Sequence, residues 1–268
     1  MTATIQILSA NETIIDKQAV VADTAVIGSG CRIGPLAVIG DHVELGAGTV
    51  IESHGVVQGP TRMGVGNHIH PFACIGGPPQ DKRHRGEPTE LIIGDDNVFR
   101  ESVTINRGTV HGGGKTVIGN GNLFMAYSHI AHDCIVGNQT VLANHATVAG
   151  HTIIEDYVVF GGMAAVGTFL RIGESAMLAA GAMAEREVPP FCIVAGERAR
   201  LRAVNRVGMA RRAFLPETRR EIKSIFKALK GSSAPILEIV ETKSAEVSSE
   251  PAHRMLAFLS AVSRGLIR

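Results

Sequence analysis

The chain contains 268 residues, with 26 Lys and Arg against 25 Asp and Glu and a formal net charge of +1. This balance gives no general basic field for binding nucleic acid, and no segment is long and apolar enough to span a bilayer. Residues Met1 to Thr13 lack the basic and apolar regions of a signal peptide, so we expect a cytoplasmic location, no integral membrane segment and no nucleic-acid partner.

Bulky apolar residues return every six positions along most of the chain. One run extends from Ile15 to Ile75, a second from Ile93 to Ile105, and a third from Ile118 to Leu178. This period is the hexapeptide signature of a parallel β-helix, in which three repeats form one coil and positions about eighteen residues apart are stacked. The 31 glycines and the absence of tryptophan agree with tight turns around a narrow core.

The repeat ends after Val188, where Pro189 and Pro190 follow. Helical patterns replace it, since Pro216 suits a first helical turn and Gly231 a helix end. We therefore predict a mainly β fold, with a β-helix over residues 1–190 and an α-helical domain over residues 191–268. The helical domain would cover the last coil and its unpaired strand edges.

Two segments, residues 77–92 and 111–117, leave the repeat and are called the first and second excursions. Insertions in a solenoid project from its turns, where they can bind a ligand without disturbing the stack. The first excursion is rich in charged residues, including Asp81 and Arg83, which suits an anionic ligand. A tolerated insertion without a function is the alternative interpretation.

The four cysteines show no CxxC pairing and are predicted to be buried thiols, neither disulfides nor zinc ligands. They are Cys31, Cys74, Cys134 and Cys192.

The sequence His129-Ile-Ala-His132-Asp133-Cys134 concentrates titratable groups, and His151 follows His132 by nineteen residues, one coil plus one position. A neutral imidazole can accept a proton from a hydroxyl near neutral pH, and an adjacent carboxylate fixes its tautomer. This combination indicates acyl transfer. β-Helix carbonic anhydrases, which hold zinc, pair two histidines five residues apart, and this chain has no such pair, so we predict no metal.

Several motifs together resemble the UDP-N-acetylglucosamine 3-O-acyltransferase family, which performs the first step of lipid A synthesis. They are the run Ile105 to Gly114, the segment His129 to Cys134, Ala149-Gly150-His151, Gly161-Gly162-Met163 and the terminal Arg264 to Arg268. The resemblance covers essentially the whole chain. It implies a left-handed β-helix, a homotrimer with sites between subunits, and a (3R)-hydroxyacyl carrier protein, loaded through a phosphopantetheine thioester, as donor substrate without a further cofactor.

The resemblance also implies roles for the motif residues. His132 would be the general base that deprotonates the sugar 3-hydroxyl, with Asp133 orienting it. The backbone N–H of Gly150 would stabilise the oxyanion. His129 and His151 would position the substrate.

Further substrate-binding positions are implied in both predicted domains. They are Asp81 and Arg83 in the first excursion, Gly162, Gly167 and Ala180 in the late coils, and Asn205, Arg211 and Arg212 in the helical domain. The basic residues of the helical domain, such as Arg198 and Arg200, would dock the acidic carrier protein, and an inert solvated face is the alternative.

Three departures from the family pattern leave alternatives open. Gly167 stands where well-known members have a histidine, Val207 replaces an acidic residue, and Arg83 replaces a lysine. N-acyl transfer to a 3-amino analogue of the sugar and a non-catalytic hexapeptide scaffold therefore remain alternatives to O-acyl transfer. Ala180 stands where glycine permits longer acyl chains, so we expect a modestly shorter chain.

Overall fold

A computed structural model describes residues 12–268 of the chain. The first eleven residues, which hold most of the segment expected to lack a signal peptide, lie outside the described residues. The chain winds into a column of short strands, and each coil of the column contributes one strand to each of three parallel sheets. A group of helices lies at the C-terminal end.

Within the described residues there are 28 strands, four α-helices and one 3₁₀ helix. In chain order they are β1 (Ile14–Ile15), β2 (Val20–Val21), β3 (Val26–Ile27), β4 (Arg32–Ile33), β5 (Val38–Ile39), β6 (Val43–Leu45), β7 (Val50–Ile51), β8 (Val56–Val57), β9 (Thr61–Met63), β10 (His68–Ile69), β11 (Cys74–Gly77), β12 (Glu90–Ile93), β13 (Val98–Phe99), β14 (Thr104–Asn106), the 3₁₀ helix (Val110–Gly112), β15 (Lys115–Ile118), β16 (Leu123–Phe124), β17 (His129–Ile130), β18 (Ile135–Val136), β19 (Val141–Leu142), β20 (Thr147–Val148), β21 (Ile153–Ile154), β22 (Val159–Phe160), β23 (Ala165–Val166), β24 (Arg171–Ile172), β25 (Met177–Leu178), β26 (Met183–Ala184), β27 (Cys192–Ala195), β28 (Arg200–Val204), α1 (Arg206–Arg211), α2 (Pro216–Gly231), α3 (Ile236–Ser244) and α4 (Glu250–Ser260).

The first sheet has the strand order β1-β4-β7-β10-β13-β16-β19-β22-β25-β27-β28, the second β2-β5-β8-β11-β14-β17-β20-β23-β26, and the third β24-β21-β18-β15-β12-β9-β6-β3. Strand pairs in regular coils join residues eighteen positions apart, as Ile15 pairs with Ile33. The spacing is larger where an excursion intervenes, since Ile69 pairs with Phe99 and Phe99 with Phe124. The predicted stacking rule is therefore confirmed before the first excursion and after the second, where Leu123 pairs with Val141, and it is altered across the excursions.

From Ile33 onward, the apolar residue of each repeat is buried inside the column. Ile33, Ile51, Ile69 and Phe99 follow one another in the first sheet and are all at most 2 % exposed. Burying one such side chain contributes about 1.5–3 kcal/mol, so the stack of coils is held mainly by this column of apolar contacts.

Strand pairing crosses the predicted division at residue 190, because β27 joins the first sheet in parallel beside β25 before β28 returns antiparallel. The division into domains stays a prediction. Both excursions are shorter than predicted, because the strands beside them extend into the predicted ranges. Strand β11 continues to Gly77, β12 begins at Glu90 and β15 begins at Lys115, since backbone pairing continues beyond the apolar repeat.

The helices close the end of the column. Helix α2 begins at Pro216 and ends at Gly231, as the sequence predicts, and buries Ile222, Ile225 and Leu229. It packs against α3, α4 and β28. The carboxylate of Glu174, on the last full coil, forms ion pairs with Arg212 and Arg254, which ties the helices to the column.

The cysteines are free thiols, and three of the four are buried. Cys74 is only half-buried, so the prediction of burial is wrong for it. It occupies the outward-facing strand position just before the buried Ile75 rather than a small core position. None of the helices within residues 12–268 is long and apolar enough to cross a membrane.

Candidate active site

The column is triangular in section, and its three corners carry different groups of residues. We name them in chain order: the first corner joins the first sheet to the second, the second corner joins the second sheet to the third, and the third corner joins the third sheet to the first. His132 and Asp133 follow β17 and precede β18, which places them at the second corner.

His132 and Asp133 form a hydrogen-bonded dyad, with 2.7 Å between His132 Nδ1 and Asp133 Oδ2. The Asp133 side chain is fully buried. Thr109 holds both carboxylate oxygens, because its backbone N–H donates to Oδ1 and its hydroxyl to Oδ2, each at 2.7 Å. The Asp133 backbone N–H donates to Thr116 Oγ1 at 2.8 Å. The carboxylate is thus fixed as an acceptor for His132 Nδ1. The other ring nitrogen of His132, Nε2, makes no bond to Asp133.

Gly150 and His151 lie on the next coil. A Cβ at Gly150 would lie 2.8 Å from His132 Cε1, so a larger residue there would displace the ring. The Gly150 carbonyl accepts from the N–H of Phe169 at 3.1 Å, while the Gly150 N–H has no acceptor among residues 12–268. An N–H beside the imidazole is a suitable donor for a developing oxyanion.

His151 completes a cluster around the Asp133 carboxylate. Its Nε2 lies 3.7 Å from Asp133 Oδ2, and its ring meets the His132 ring edge-on at a centroid distance of 5.1 Å. Burial is the largest influence on His151 and lowers its pKa. The imidazole is therefore held toward the neutral form, in which one nitrogen donates and the other accepts.

His129 lies on β17, and 2.7 Å separate its Nδ1 from the hydroxyl oxygen of Thr104 on the preceding coil. Burial lowers the pKa of His129 as well. The pairing with Thr104 fixes the orientation of the ring, as substrate positioning requires.

The first excursion carries its own ion pair. Arg83 donates to Asp81 through its guanidinium, with 2.7 Å between Nη2 and Oδ2, and through its backbone N–H at 2.8 Å. These bonds hold the pKa of Asp81 well below its usual range, and a protonated His132 would act in the same direction. Asp81 and Arg83 therefore lie within electrostatic reach of the dyad.

Gly167 also lies at the second corner, where it follows β23. The nearest atoms to a Cβ at this position would be Leu170 Cδ1 at 3.6 Å and the Ala184 carbonyl oxygen at 3.7 Å. Both are ordinary van der Waals distances, so the backbone has room for a side chain there.

The remaining predicted site residues lie at other corners of the same chain. Gly162 and Ala180 follow β22 and β25 at the first corner. At the third corner, Asn205 donates to the Ser175 carbonyl at 2.8 Å, and the guanidinium of Arg212 donates to Ser175 Oγ at 2.9 Å. Arg212 also covers the Tyr157 ring at 4.2 Å, Arg211 is exposed on α1, and Val207 is exposed beside it. One chain does not bring these groups to the dyad.

Sequence reasoning missed the threonines that hold the site: Thr104, Thr109 and Thr116. The second excursion changes the spacing, since Ile105 pairs with Ile130 rather than with a residue eighteen positions away. A stacking rule corrected for the length of that excursion would have placed Thr109 near Asp133.

Within residues 12–268, two groups of side chains have ligand atoms close enough to hold a metal ion, within 4.8 Å of one another: Glu52, His68 and His70, and His132, Asp133 and His151. In the second group the 2.7 Å separation of His132 Nδ1 and Asp133 Oδ2 is a hydrogen-bond distance. That arrangement suits proton transfer, and the expectation of a metal-free site stays a prediction.

A β-helix of hexapeptide repeats is the mark of the hexapeptide transferases, and in this chain it carries a His–Asp dyad with a buried carboxylate. The sequence profile of the bacterial transferase hexapeptide matches residues 24–59 and 115–150, and that of UDP N-acetylglucosamine O-acyltransferase, domain 2, matches residues 187–267. The chain is 47% identical over 257 residues to the acyl-[acyl-carrier-protein]–UDP-N-acetylglucosamine O-acyltransferase of Xanthomonas oryzae pv. oryzae (strain PXO99A), covering 95% of this chain and 98% of the relative. It belongs to the UDP-N-acetylglucosamine O-acyltransferase family.

Other relatives agree. The enzyme of the same name from Anaeromyxobacter sp. (strain Fw109-5) is 44% identical over 207 residues, which are 77% of this chain and 80% of the relative. The structure of LpxA from Acinetobacter baumannii superposes with a TM-score of 0.93 at 35% identity, covering 95% of this chain and 100% of that one. The UDP-N-acetylglucosamine acyltransferase of Francisella novicida gives 0.91 at 32% identity, covering 95% and 94%. The predicted family and left-handed β-helix with a C-terminal helical region are confirmed.

Proposed function

We propose that the protein transfers a (3R)-hydroxyacyl group from acyl carrier protein to the 3-hydroxyl of UDP-N-acetylglucosamine, the first step of lipid A biosynthesis. The observation that carries the proposal is the His132–Asp133 dyad, held by both donors of Thr109 beside the N–H of Gly150. Family membership supplies the substrate class, because the relatives are named for this acyl donor and this sugar nucleotide.

The dyad supports a stepwise transfer. His132 Nε2 takes the proton of the sugar 3-hydroxyl while the hydroxyl oxygen attacks the carbonyl carbon of the thioester. Asp133 stabilises the imidazolium that forms on His132. The oxyanion of the tetrahedral intermediate accepts from the Gly150 N–H, an interaction often worth about 3 kcal/mol. When the intermediate collapses, the C–S bond breaks, and the leaving phosphopantetheine thiolate receives the proton from His132.

The remaining site residues would come from a second subunit of a homotrimer. Asn205, Arg211 and Arg212 belong to the third corner, whereas the dyad lies at the second, so a complete site requires a neighbouring copy. In this arrangement the second corner of one subunit meets the third corner of the next, and the nucleotide lies between them.

The donor side of the proposal rests on charge. Exposed arginines on and near the helical region form a basic surface suited to an acidic carrier protein. They are Arg198, Arg200, Arg202, Arg206 and Arg220. The carrier-bound thioester is the donor, without a further cofactor or metal, and charged soluble substrates of this kind fit a cytoplasmic location.

The chain length follows from the first corner. Ala180 is exposed in the turn after β25. Its methyl group takes up space that glycine would leave to the acyl group, so we infer a modestly shorter acyl chain than glycine-bearing relatives use.

An acyl-transfer assay tests the proposal. Purified protein is offered (3R)-hydroxyacyl carrier proteins of several lengths, with UDP-N-acetylglucosamine and its 3-amino analogue in parallel. We expect ester product on the ordinary sugar. Product on the amine alone would indicate an N-acyltransferase, and no product from an intact trimer would favour a non-catalytic scaffold.

A further inference from the structure

Hydrogen bonds fasten the C-terminal segment of the chain to the second corner, below the dyad. The backbone N–H of Glu187 donates to the Gly265 carbonyl, and the Glu187 carbonyl accepts from the N–H of Ile267, both at 2.9 Å. The Glu187 carboxylate accepts from the Arg264 backbone N–H at 2.9 Å. Glu187 is 3% exposed, so this anchor is buried and sets the point from which the Arg264 side chain leaves the segment.

From this anchor a series of ring contacts leads back to the dyad. The guanidinium of Arg264 lies over the Phe169 ring, with Cζ 5.2 Å from its centroid, within the range of a cation–π interaction. The Phe169 ring stacks on the His151 ring at 4.3 Å with an interplanar angle of 4°. His151 in turn meets the His132 ring edge-on.

Phe169 contributes little to the core of the column. Its side chain is 48% exposed and its backbone has a φ of +61°, a conformation that non-glycine residues adopt uncommonly. Its ring is therefore used at the surface, between the C-terminal Arg264 and the imidazole of His151.

We propose that Phe169 and Arg264 are positioning residues, which hold the His151 imidazole edge-on to His132 with its Nε2 toward the Asp133 carboxylate. The role rests on the proposed acyl transfer, and it gives the C-terminal segment a part in the site of its own chain. A His151 ring free to rotate would place its polar atoms less accurately against the acceptor sugar, which lowers the rate of the bound complex.

The charges around His151 oppose one another. Asp133 and Asp81 favour its imidazolium form, while His132 and Arg83 disfavour it, and burial, which lowers the pKa, is the largest influence. Loss of the Phe169 ring admits water to His151, so its pKa is expected to move up toward the ordinary value.

The test compares Phe169→Leu with Phe169→Tyr, and Arg264→Gln with Arg264→Lys, in the full-length trimer. We expect Phe169→Leu to lower kcat about tenfold with little change in the KM for the carrier protein, while tyrosine, which keeps the ring, retains activity. For Arg264→Gln we expect a loss of about threefold, largely restored by lysine. The His151 titration, followed by NMR with ¹³C-labelled histidine, should move to higher pH in Phe169→Leu.

Phe72→Leu is the matched control. Phe72 has a φ of +64° and stacks on His54 at 4.9 Å with an interplanar angle of 28°, a comparable phenylalanine–histidine pair at the first corner and away from the dyad. The proposal would be overturned if Phe169→Leu kept the wild-type kcat and an unchanged His151 titration. It would also be overturned if Phe72→Leu lost as much kcat as Phe169→Leu while both trimers stayed intact. If the wild type transfers no acyl group, the proposed function fails, and the titration alone then decides whether Phe169 controls His151.

Discussion

His132 is the side chain on which the proposed chemistry depends. Its replacement by alanine removes the base, so we expect kcat to fall at least about 100-fold. The fold should survive, because this side chain projects from a turn and its hydrogen bond is made to Asp133, which keeps both bonds from Thr109. Activity is measured with UDP-N-acetylglucosamine, and trimer integrity by light scattering.

His145→Ala provides the control for that variant. His145 is exposed in a turn at the first corner, where it stacks on Tyr127 at 5.0 Å. It should retain wild-type turnover. If His132→Ala also retains turnover, another group must be the base; if it unfolds, the role of His132 is structural.

Thr109 determines whether Asp133 can orient the imidazole. In Thr109→Val the buried carboxylate loses its hydroxyl donor but keeps the backbone N–H, and hydrogen bonds to charged groups contribute about 1.5–3 kcal/mol. We expect the free energy of unfolding to fall by about 2 kcal/mol and kcat by about tenfold, with Thr109→Ser close to the wild type.

Urea unfolding and steady-state kinetics measure the two effects. Thr147→Val removes an exposed hydroxyl that donates to the His145 carbonyl at 3.4 Å, and should change neither quantity appreciably. A fully active Thr109→Val would show that the dyad does not need this support.

The half-buried imidazole of His129 should make stability depend on pH. Its pKa is lowered in the fold, so below the unfolded value of about 6.5 the unfolded chain binds more protons, and stability falls as pH decreases through the folded pKa. His129→Gln cannot titrate. The difference in unfolding free energy between wild type and variant should therefore shrink from about pH 7.5 to about pH 5.5, as measured by urea unfolding. A constant difference would contradict this.

Among the elements, the coils interrupted by the excursions depend on a ladder of buried asparagines at the third corner. Asn97 accepts from the N–H and side-chain amide of Asn122 at 2.9 Å, and donates from its own amide to Asn67 Oδ1 and the Gly119 carbonyl at 3.0 Å. All three asparagines are at most 1% exposed. The ladder thus joins three coils whose strand spacing is irregular.

Asn97→Ala should destabilise the protein without touching the dyad. The substitution leaves several buried polar groups without partners, each at a cost of about 1–3 kcal/mol, so a loss of at least about 3 kcal/mol is expected. Calorimetry of the trimer measures it. Asn120→Ala breaks an exposed ladder to Asn138 at the same corner and should cost much less. Equal effects would show that burial of the ladder is not what matters.

The strands could be predicted because one physical rule, burial of the apolar residue in each repeat, fixes both their position and their register. The same rule placed His132, Asp133 and His151 together at one corner. It could not supply Thr109, since the second excursion shifts the register between Ile105 and Ile130. The contact of Asn205 with Ser175 depends on the antiparallel pairing of β28 with β27, which brings the chain back over the column. No local sequence pattern predicts that pairing.

At the scale of the whole molecule, the residues expected to serve one reaction are divided between corners of a rigid column. Strand pairing in every coil keeps the second and third corners apart within a chain. A single column could bring these two corners together only by bending, and bending would break its backbone hydrogen bonds and its core. Association of copies joins the corners without that cost, which is the physical reason for expecting activity to require the trimer.

Mixed trimers test this division directly. His132→Ala removes the base at the second corner, and Arg212→Ala removes a predicted nucleotide contact at the third; each homotrimer should be nearly inactive. If a site joins the second corner of one subunit to the third corner of its neighbour, random mixing in equal amounts leaves both residues intact in about one quarter of the sites. Subunits dissociated and reassembled together should therefore recover about one quarter of wild-type activity, whereas the variants reassembled separately recover none. No recovery in verified mixed trimers, with each variant folded, would place the complete site within one chain. In that case Arg212, which binds Ser175 and Glu174, acts only to hold the helices on the column.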